Sequence, residues 1–113
     1  MYSAADGGII LCKKEDEFIG CVAIRRMDTH TAELKRMWVR LPYQGQGIGE
    51  QLLKESLALV AKLQYRCIRL DTLQRLAPAI KLYKKYGFVE TAAYYDNPNK
   101  DVVYMEKRLK SIA

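Results

Sequence analysis

The feature that most constrains this chain is a run of glycines at alternate positions, Gly45, Gly47 and Gly49, in the segment Tyr43-Gln44-Gly45-Gln46-Gly47-Ile48-Gly49-Glu50. A strand-like stretch precedes it and a strongly amphipathic one follows. Glycine lets a backbone take turns that side chains forbid and come close to a ligand. The first N–H groups of a following helix face the same hollow, where the helix dipole favours negative charge. Strand, glycine loop and helix in this order therefore predict a phosphate cradle. A tight turn that uses glycine for geometry alone is the alternative.

The rest of the chain arranges itself around that loop. Ile9–Cys12 is a short apolar run, Lys13 to Glu17 a charged turn and Phe18–Ile24 a second strand, which together make a hairpin. Arg25 to Thr31 forms the next turn. Ala32–Arg40 alternates as a third strand, with Leu34, Arg36 and Trp38 on one face and Glu33, Lys35, Met37 and Val39 on the other. Pro42 to Gly49 is the connection. The helix after it runs to about Leu63, with Ile48, Leu52, Leu53, Ser56, Leu57 and Val60 on its inner face. Cys67–Leu73 is a strand. A second helix begins at Pro78 and is stopped by Gly87. Strands over Phe88–Tyr95 and Val102–Leu109 close the chain, joined by the loop Asp96 to Lys100. Helices arrive only in the middle of this order, which predicts an α/β (α+β) fold with a mixed, mostly antiparallel sheet. At 113 residues, half of them hydrophobic, residues 1–113 are expected to form one domain with a real core.

Charge and cysteines narrow the chemistry. A net charge of +6 attracts anions, yet Lys and Arg are spread along the chain rather than bunched, so nucleic acid is not the expected partner. Cys12, Cys21 and Cys67 make an odd set with no C-x-x-C spacing, which argues against disulfides and zinc; no metal is expected. The only histidine, His30, falls in a turn, leaving no obvious partner for a nucleophilic cysteine. No apolar stretch is long enough to span a bilayer, and no signal-like start is present, so a cytoplasmic location is expected.

Two nucleotide loops fail in register. A P-loop needs Lys and then Ser or Thr after its last glycine, where this chain has Glu50 and Gln51. A dinucleotide fingerprint counted from Gly45 meets Glu50 where its third glycine belongs.

What fits is Q/R-x-x-G-x-G/A, through Gln44, Gly47 and Gly49. Leu82-Tyr83-Lys84-Lys85-Tyr86-Gly87-Phe88 matches L-Y-x-x-x-G-F. With the strand Ala32–Arg40, Pro42 and the element order, the chain resembles the GNAT superfamily of acetyl-CoA-dependent N-acetyltransferases over nearly its whole length.

The resemblance implies transfer of an acetyl group to a primary amine of a small molecule or other amino-group acceptor, by direct attack in a ternary complex. It puts the pyrophosphate of acetyl-CoA on the backbone of Gly45, Gln46, Gly47, Ile48 and Gly49, beside Gln44. The pantetheine arm would follow Met37, Trp38 and Val39, in a slot that a bulge opens against Cys67–Leu73. Tyr83 would protonate the leaving thiolate, and Glu33 would serve as base. Glu33 paired with Lys35 or another basic group, and Tyr83 as packing alone, are the structural alternatives. Tyr94, Tyr95 and Asn97 are candidate acceptor contacts, or simply a turn.

Two departures stand out. Leu76 occupies the place of an Asn that often contacts CoA, with Gln74 or Arg75 as possible replacements. The strand and two helices that usually open this fold have no counterpart before Gly7, so the chain looks N-terminally truncated, and a homodimer through the edge at Ile9–Cys12 would complete it. A non-catalytic acyl-CoA-binding or assembly module, and a basic nucleic-acid binder, are the competing readings.

Overall fold

Alternating apolar residues pull three successive strands into one antiparallel meander. The computed structural model describes residues 7–109 and gives strands β1 (Gly8–Lys14), β2 (Glu17–Arg26) and β3 (Thr31–Val39). A 3-10 turn at Leu41–Tyr43 and the glycine loop lead into α1 (Ile48–Lys62). β4 (Cys67–Leu73), α2 (Ala77–Lys85), β5 (Val89–Thr91) and β6 (Val102–Arg108) follow. The strands form one sheet in the order β1-β2-β3-β4-β6-β5. Only β3 and β4 are parallel neighbours, as a helical crossover between them requires. The mixed, mostly antiparallel expectation holds. The segment before Gly7, where missing front elements were inferred, lies outside the described residues.

Both helices send their apolar sides into one cluster. Leu52, Leu53 and Val60 of α1 and Tyr83 of α2 meet Val22, Ile24, Leu34, Ile68, Leu70 and Met105 of the sheet. Ser56, buried on the same side of α1, returns its hydroxyl to the Leu52 carbonyl at 2.8 Å and so enters the core satisfied. The sheet's other face carries Arg25, Glu33, Lys35, Arg69 and Tyr104, aligned by the cross-strand registers Arg25↔Glu33, Ala23↔Lys35, Glu33↔Arg69 and Asp71↔Tyr104.

Two expectations need correction. β3 does not alternate cleanly. Cys21 pairs with Trp38 but Ala23 pairs with Lys35, so β3 carries an extra residue there. A bulge of this kind shifts the two-residue phase. Met37 and Val39 consequently join Leu34 on the helix side, while Trp38 turns to the face of Glu33 and Lys35. The strand placed at Phe88–Tyr95 is only Val89–Thr91, because the chain bends away from β6 beyond Thr91 and the two tyrosines sit in irregular backbone.

Both helices end in the same hydrogen-bond pattern. At α1 the Gln64 N–H reaches the Ala61 carbonyl and the Tyr65 N–H reaches that of Val60. At α2 the Gly87 N–H reaches Lys84 and the Phe88 N–H reaches Tyr83, with the Tyr83 and Phe88 rings 5.7 Å apart. This is a Schellman ending, whose first residue past the cap is left-handed. Gln64 fills that place with φ 65° and Gly87 with φ 93°. A Cβ at Gly87 would also lie 2.7 Å from Lys107 Nζ. Gly87→Ala should therefore lower stability by about 1–2 kcal/mol in urea unfolding, and an unchanged midpoint would contradict this role.

Candidate functional site

β3 and β4 pair at three positions only, Thr31↔Cys67, Ala32↔Ile68 and Glu33↔Arg69, and then part. The gap between them opens into a cavity of about 580 Å³. Leu34, Met37 and Val39 form one wall and Asp71, Thr72 and Leu73 the other. Leu76, Pro78, Ala79, Leu82 and Tyr83 of the α2 region close the side, and Gln44, Gly45 and Gly49 form the mouth. The slot is thus mostly apolar along its length and polar where the glycine loop begins.

The mouth is formed by the glycine loop and the start of α1. Gly47 caps α1 with φ 83°, and no side chain caps the helix start. The first turn's N–H groups are therefore not satisfied by a capping side chain. Gln44 donates Nε2–H to the Val39 carbonyl at 2.9 Å, tying the loop to the end of β3. Ile48 turns inward instead, packing against the core beside Gly20. Gln46 reaches back toward the Pro42 carbonyl. Of the loop residues expected at the cofactor, Gln44, Gly45 and Gly49 line the slot with their own atoms, while Gln46, Gly47 and Ile48 shape the loop and helix start.

Of the three strand residues expected beside the cofactor, Met37 and Val39 line the slot. Trp38 is 48% exposed and pairs across from Cys21 on the other face. Tyr83 is buried at the slot wall, its hydroxyl 3.9 Å from Met37 Sδ. Burial, and then the charge of Asp71, push its phenol above the ordinary value, so it is a proton donor at neutral pH. Leu76, which stands where the resemblance expects an Asn, lines the slot, and Arg75, named as a possible replacement, points toward Asp101 instead.

Glu33 lies on the opposite face with its side chain 1% exposed. Arg25 donates Nε–H to its Oε1 at 2.6 Å, Lys35 Nζ stands 3.3 Å from Oε2, and Tyr94 donates its hydroxyl to Oε2 at 3.0 Å. A buried carboxylate needs such partners to offset its desolvation. Tyr95 donates to Asp71, and Asn97 donates to the Tyr95 hydroxyl at 3.0 Å. Tyr94, Tyr95 and Tyr104 pack edge to face. Partial burial and the Asp71 carboxylate raise the Tyr95 phenol to about 12, so it remains a donor. Glu33, Tyr94, Tyr95 and Asn97, named from sequence at separate places, are thus one connected group. Asp71, which joins that group to the slot, was missed. Its position in the strand Cys67–Leu73, with no motif around it, gives no signal beyond an acidic residue near the end of β4.

A second link joins the two helices. Glu50, in the first turn of α1, accepts from Lys85 Nζ at 2.8 Å and from the Tyr86 hydroxyl at 2.6 Å, at the end of α2. Those two bonds lower the Glu50 pKa from its ordinary 4.5, and the same contact raises Lys85 from 10.5. Among the described residues no group of three or more His, Cys, Asp or Glu side chains is gathered to hold a metal, and no helix is long and apolar enough to cross a membrane.

Known proteins match this architecture. The profile described as Acetyltransferase (GNAT) family matches residues 1–88. An uncharacterized N-acetyltransferase of Schizosaccharomyces pombe is 41% identical over 101 residues, 87% of this chain. The match spans 62% of that relative's length. Among solved structures, a GNAT family acetyltransferase from Elizabethkingia anophelis with acetyl-CoA bound superposes with a TM-score of 0.78 at 27% identity, covering 92% of this chain and 77% of the other. An acetyltransferase from Bacillus cereus gives 0.77 at 28% identity, covering 92% and 74%.

Because its pKa is lowered in the fold, Glu50 adds stability that is present above pH 4.5 and is lost as the pH falls further; the Lys85 side of the pair is lost as the pH rises beyond 10.5. Thermal melts should show Glu50→Gln below wild type at about pH 7, with the gap narrowing as the pH falls below 4.5. A gap independent of pH would mean the link contributes nothing through charge.

Proposed function

Since this chain belongs to the Acetyltransferase (GNAT) family, we propose that it moves an acetyl group from acetyl-CoA to a primary amine by direct attack in a ternary complex, with residues 1–113 acting as one catalytic unit. The observation that carries this reading is the slot between β3 and β4, polar at its glycine-lined mouth and bounded by a buried tyrosine. The pyrophosphate takes the backbone N–H groups from Gly45 to Gly49 and the start of α1, where the helix field favours anions. The pantetheine arm lies along Met37, Trp38 and Val39 and bonds to the β3 backbone that β4 leaves unpaired beyond Glu33. A backbone N–H in that stretch faces the thioester oxygen as it gains charge. Tyr83 gives a proton to the departing thiolate.

The acceptor approaches the face that carries Tyr94, Tyr95 and Asn97. Glu33 serves that side, as the base named by its strand position or as the anchor that fixes Tyr94; its contact with Tyr94 supports a place at the acceptor end. The setting we propose is cytoplasmic, in keeping with Cys12 and Cys67 as free thiols. We also propose a homodimer through β1, an edge strand on which Ile9 and Leu11 are 55% and 54% exposed. A monodisperse monomer in light scattering at high concentration would refute it.

Gly47 offers a sharp test of the cofactor site. A Cβ there meets no atom within 4 Å, so an added side chain projects into open space at the mouth. Gly47→Glu should abolish acetyl-CoA binding in calorimetry, whereas Gly47→Ala, which shares the left-handed strain, should retain it. Tyr83→Phe should bind acetyl-CoA normally and lose roughly 10²-fold in kcat. Saturable binding with no release of CoA for any amine would instead favour an acyl-CoA-binding module.

A further inference from the structure

The residues that border the slot include an acidic one that the motif positions do not name. Asp71 lies two residues beyond Arg69, the last β4 residue to pair with β3. Its register partner on β6 is Tyr104, so its side chain belongs to the face that carries Glu33 and the tyrosines. With β3 no longer beside it, Asp71 also borders the slot, as does Tyr83. It is the one acidic residue among the described residues lining that cavity. Tyr95 donates a hydrogen bond to its Oδ2. Glu33, by contrast, has Arg25 on one oxygen and Lys35 and Tyr94 on the other, and does not line the slot.

We infer that Asp71 is the catalytic carboxylate of the acceptor site, docking an alkylammonium group and taking its proton, while Glu33 is a positioning residue that holds Tyr94. The inference rests on the acetyl-transfer reading above. An acceptor bound at Asp71 stands at the seam between the two faces of the sheet, next to the thioester end of the slot. A carboxylate there attracts the cationic form of the amine and then removes the proton that blocks attack.

The protons balance between Asp71 and Tyr83. One N–H bond of the ammonium breaks and an O–H bond forms on Asp71. The freed lone pair attacks the thioester carbon, making the N–C bond. Collapse of the tetrahedral adduct breaks the C–S bond, and the nitrogen sheds its second proton. Tyr83 passes its phenol proton to the thiolate and is reprotonated. Of the two protons the ammonium loses, one ends on the CoA sulfur by way of Tyr83 and the other goes to water. The pair is also coupled electrostatically. The charge of Asp71 is the second cause, after burial, that holds the Tyr83 phenol high. Protonating Asp71 removes that cause, so Tyr83 becomes a better acid as the thiolate forms.

The experiment measures CoA thiol release by the full chain with tyramine, ethanolamine and a short peptide bearing a free N-terminus, alongside acetyl-CoA affinity by calorimetry. Asp71→Asn should lose about 10²-fold or more in kcat/KM for the amine with acetyl-CoA affinity unchanged. Added formate should restore part of the rate to Asp71→Ala, which a merely structural role would not allow. Glu33→Gln should lose less than about tenfold, mainly through KM. Asp71→Glu, which keeps a carboxylate, should retain more activity than Asp71→Asn and guards against a folding artefact, with melts run on every variant. Wild-type turnover that Asp71→Asn leaves intact, or a loss that formate does not relieve, overturns the assignment to Asp71 and leaves the transfer reading standing. A wild type that binds acetyl-CoA and releases no CoA with any of the three amines brings down both.

Discussion

The structure depends on a parallel strand pair that is allowed to fail. Once Glu33 and Arg69 have paired, β3 and β4 share no further register position. A continuous ladder would bury the backbone of both strands and leave no room between them. The failure has a local cause. β3 holds its register with β2 on either side of the extra residue between Lys35 and Trp38, and the added length bends it away from β4. The unpaired β3 backbone is exposed to a ligand that can bond like another strand, and the sheet on either side keeps that edge rigid.

The same divergence explains how one molecule serves two surfaces. A closed sheet separates the helix side, with its apolar cluster, from the side that carries Glu33 and the tyrosines. Where β3 leaves β4, side chains near the end of β4 have no strand beside them. Asp71 can then belong by register to one face and by position to the slot on the other. Thr72 and Leu73 share the slot wall without offering a charge. The polar group on the open face is therefore connected to the cavity through one residue, the only acidic one among the described residues that line the slot.

Local signals made much of this legible in sequence. Gly45, Gly47 and Gly49 before an amphipathic run located the loop and the start of α1, because few other residues satisfy both the turn and the cap. Tyr83 and Gly87 located the end of α2, since the Schellman geometry requires a left-handed residue at one place and rewards an aromatic pair around it. The faces of β3 were misjudged because a bulge leaves no compositional trace; a two-residue period run past Lys35 puts Trp38 with Leu34 and Met37 with Glu33. The fifth strand reads too long in sequence because Tyr94 and Tyr95 have strand-like propensity, whereas the two tyrosines are held by side-chain bonds to Glu33 and Asp71. Asp71 escaped notice for a related reason. Its position at the slot comes from the loss of β3 as a neighbour, about two residue rises along β4 past the last pair, and no window of sequence contains both strands.

Tyr83 ties the helix ending to the chemistry. Its carbonyl receives the Phe88 N–H, its ring packs on Phe88, and its hydroxyl lies in the slot beside Met37. The backbone ending that stops α2 is thus the device that sets the rotation of the phenol. Glu50 reaches the same helix end from α1 through Lys85 and Tyr86. The start of α1 fixes the loop at the mouth, and the end of α2 fixes the Tyr83 phenol at the wall. A bond between these two helix ends holds the distance between cradle and phenol, which a ligand spanning the slot must match. Backbone hydrogen bonds and one exposed ionic link therefore fix where a buried phenol stands at the slot wall, although the ionic link does not touch it.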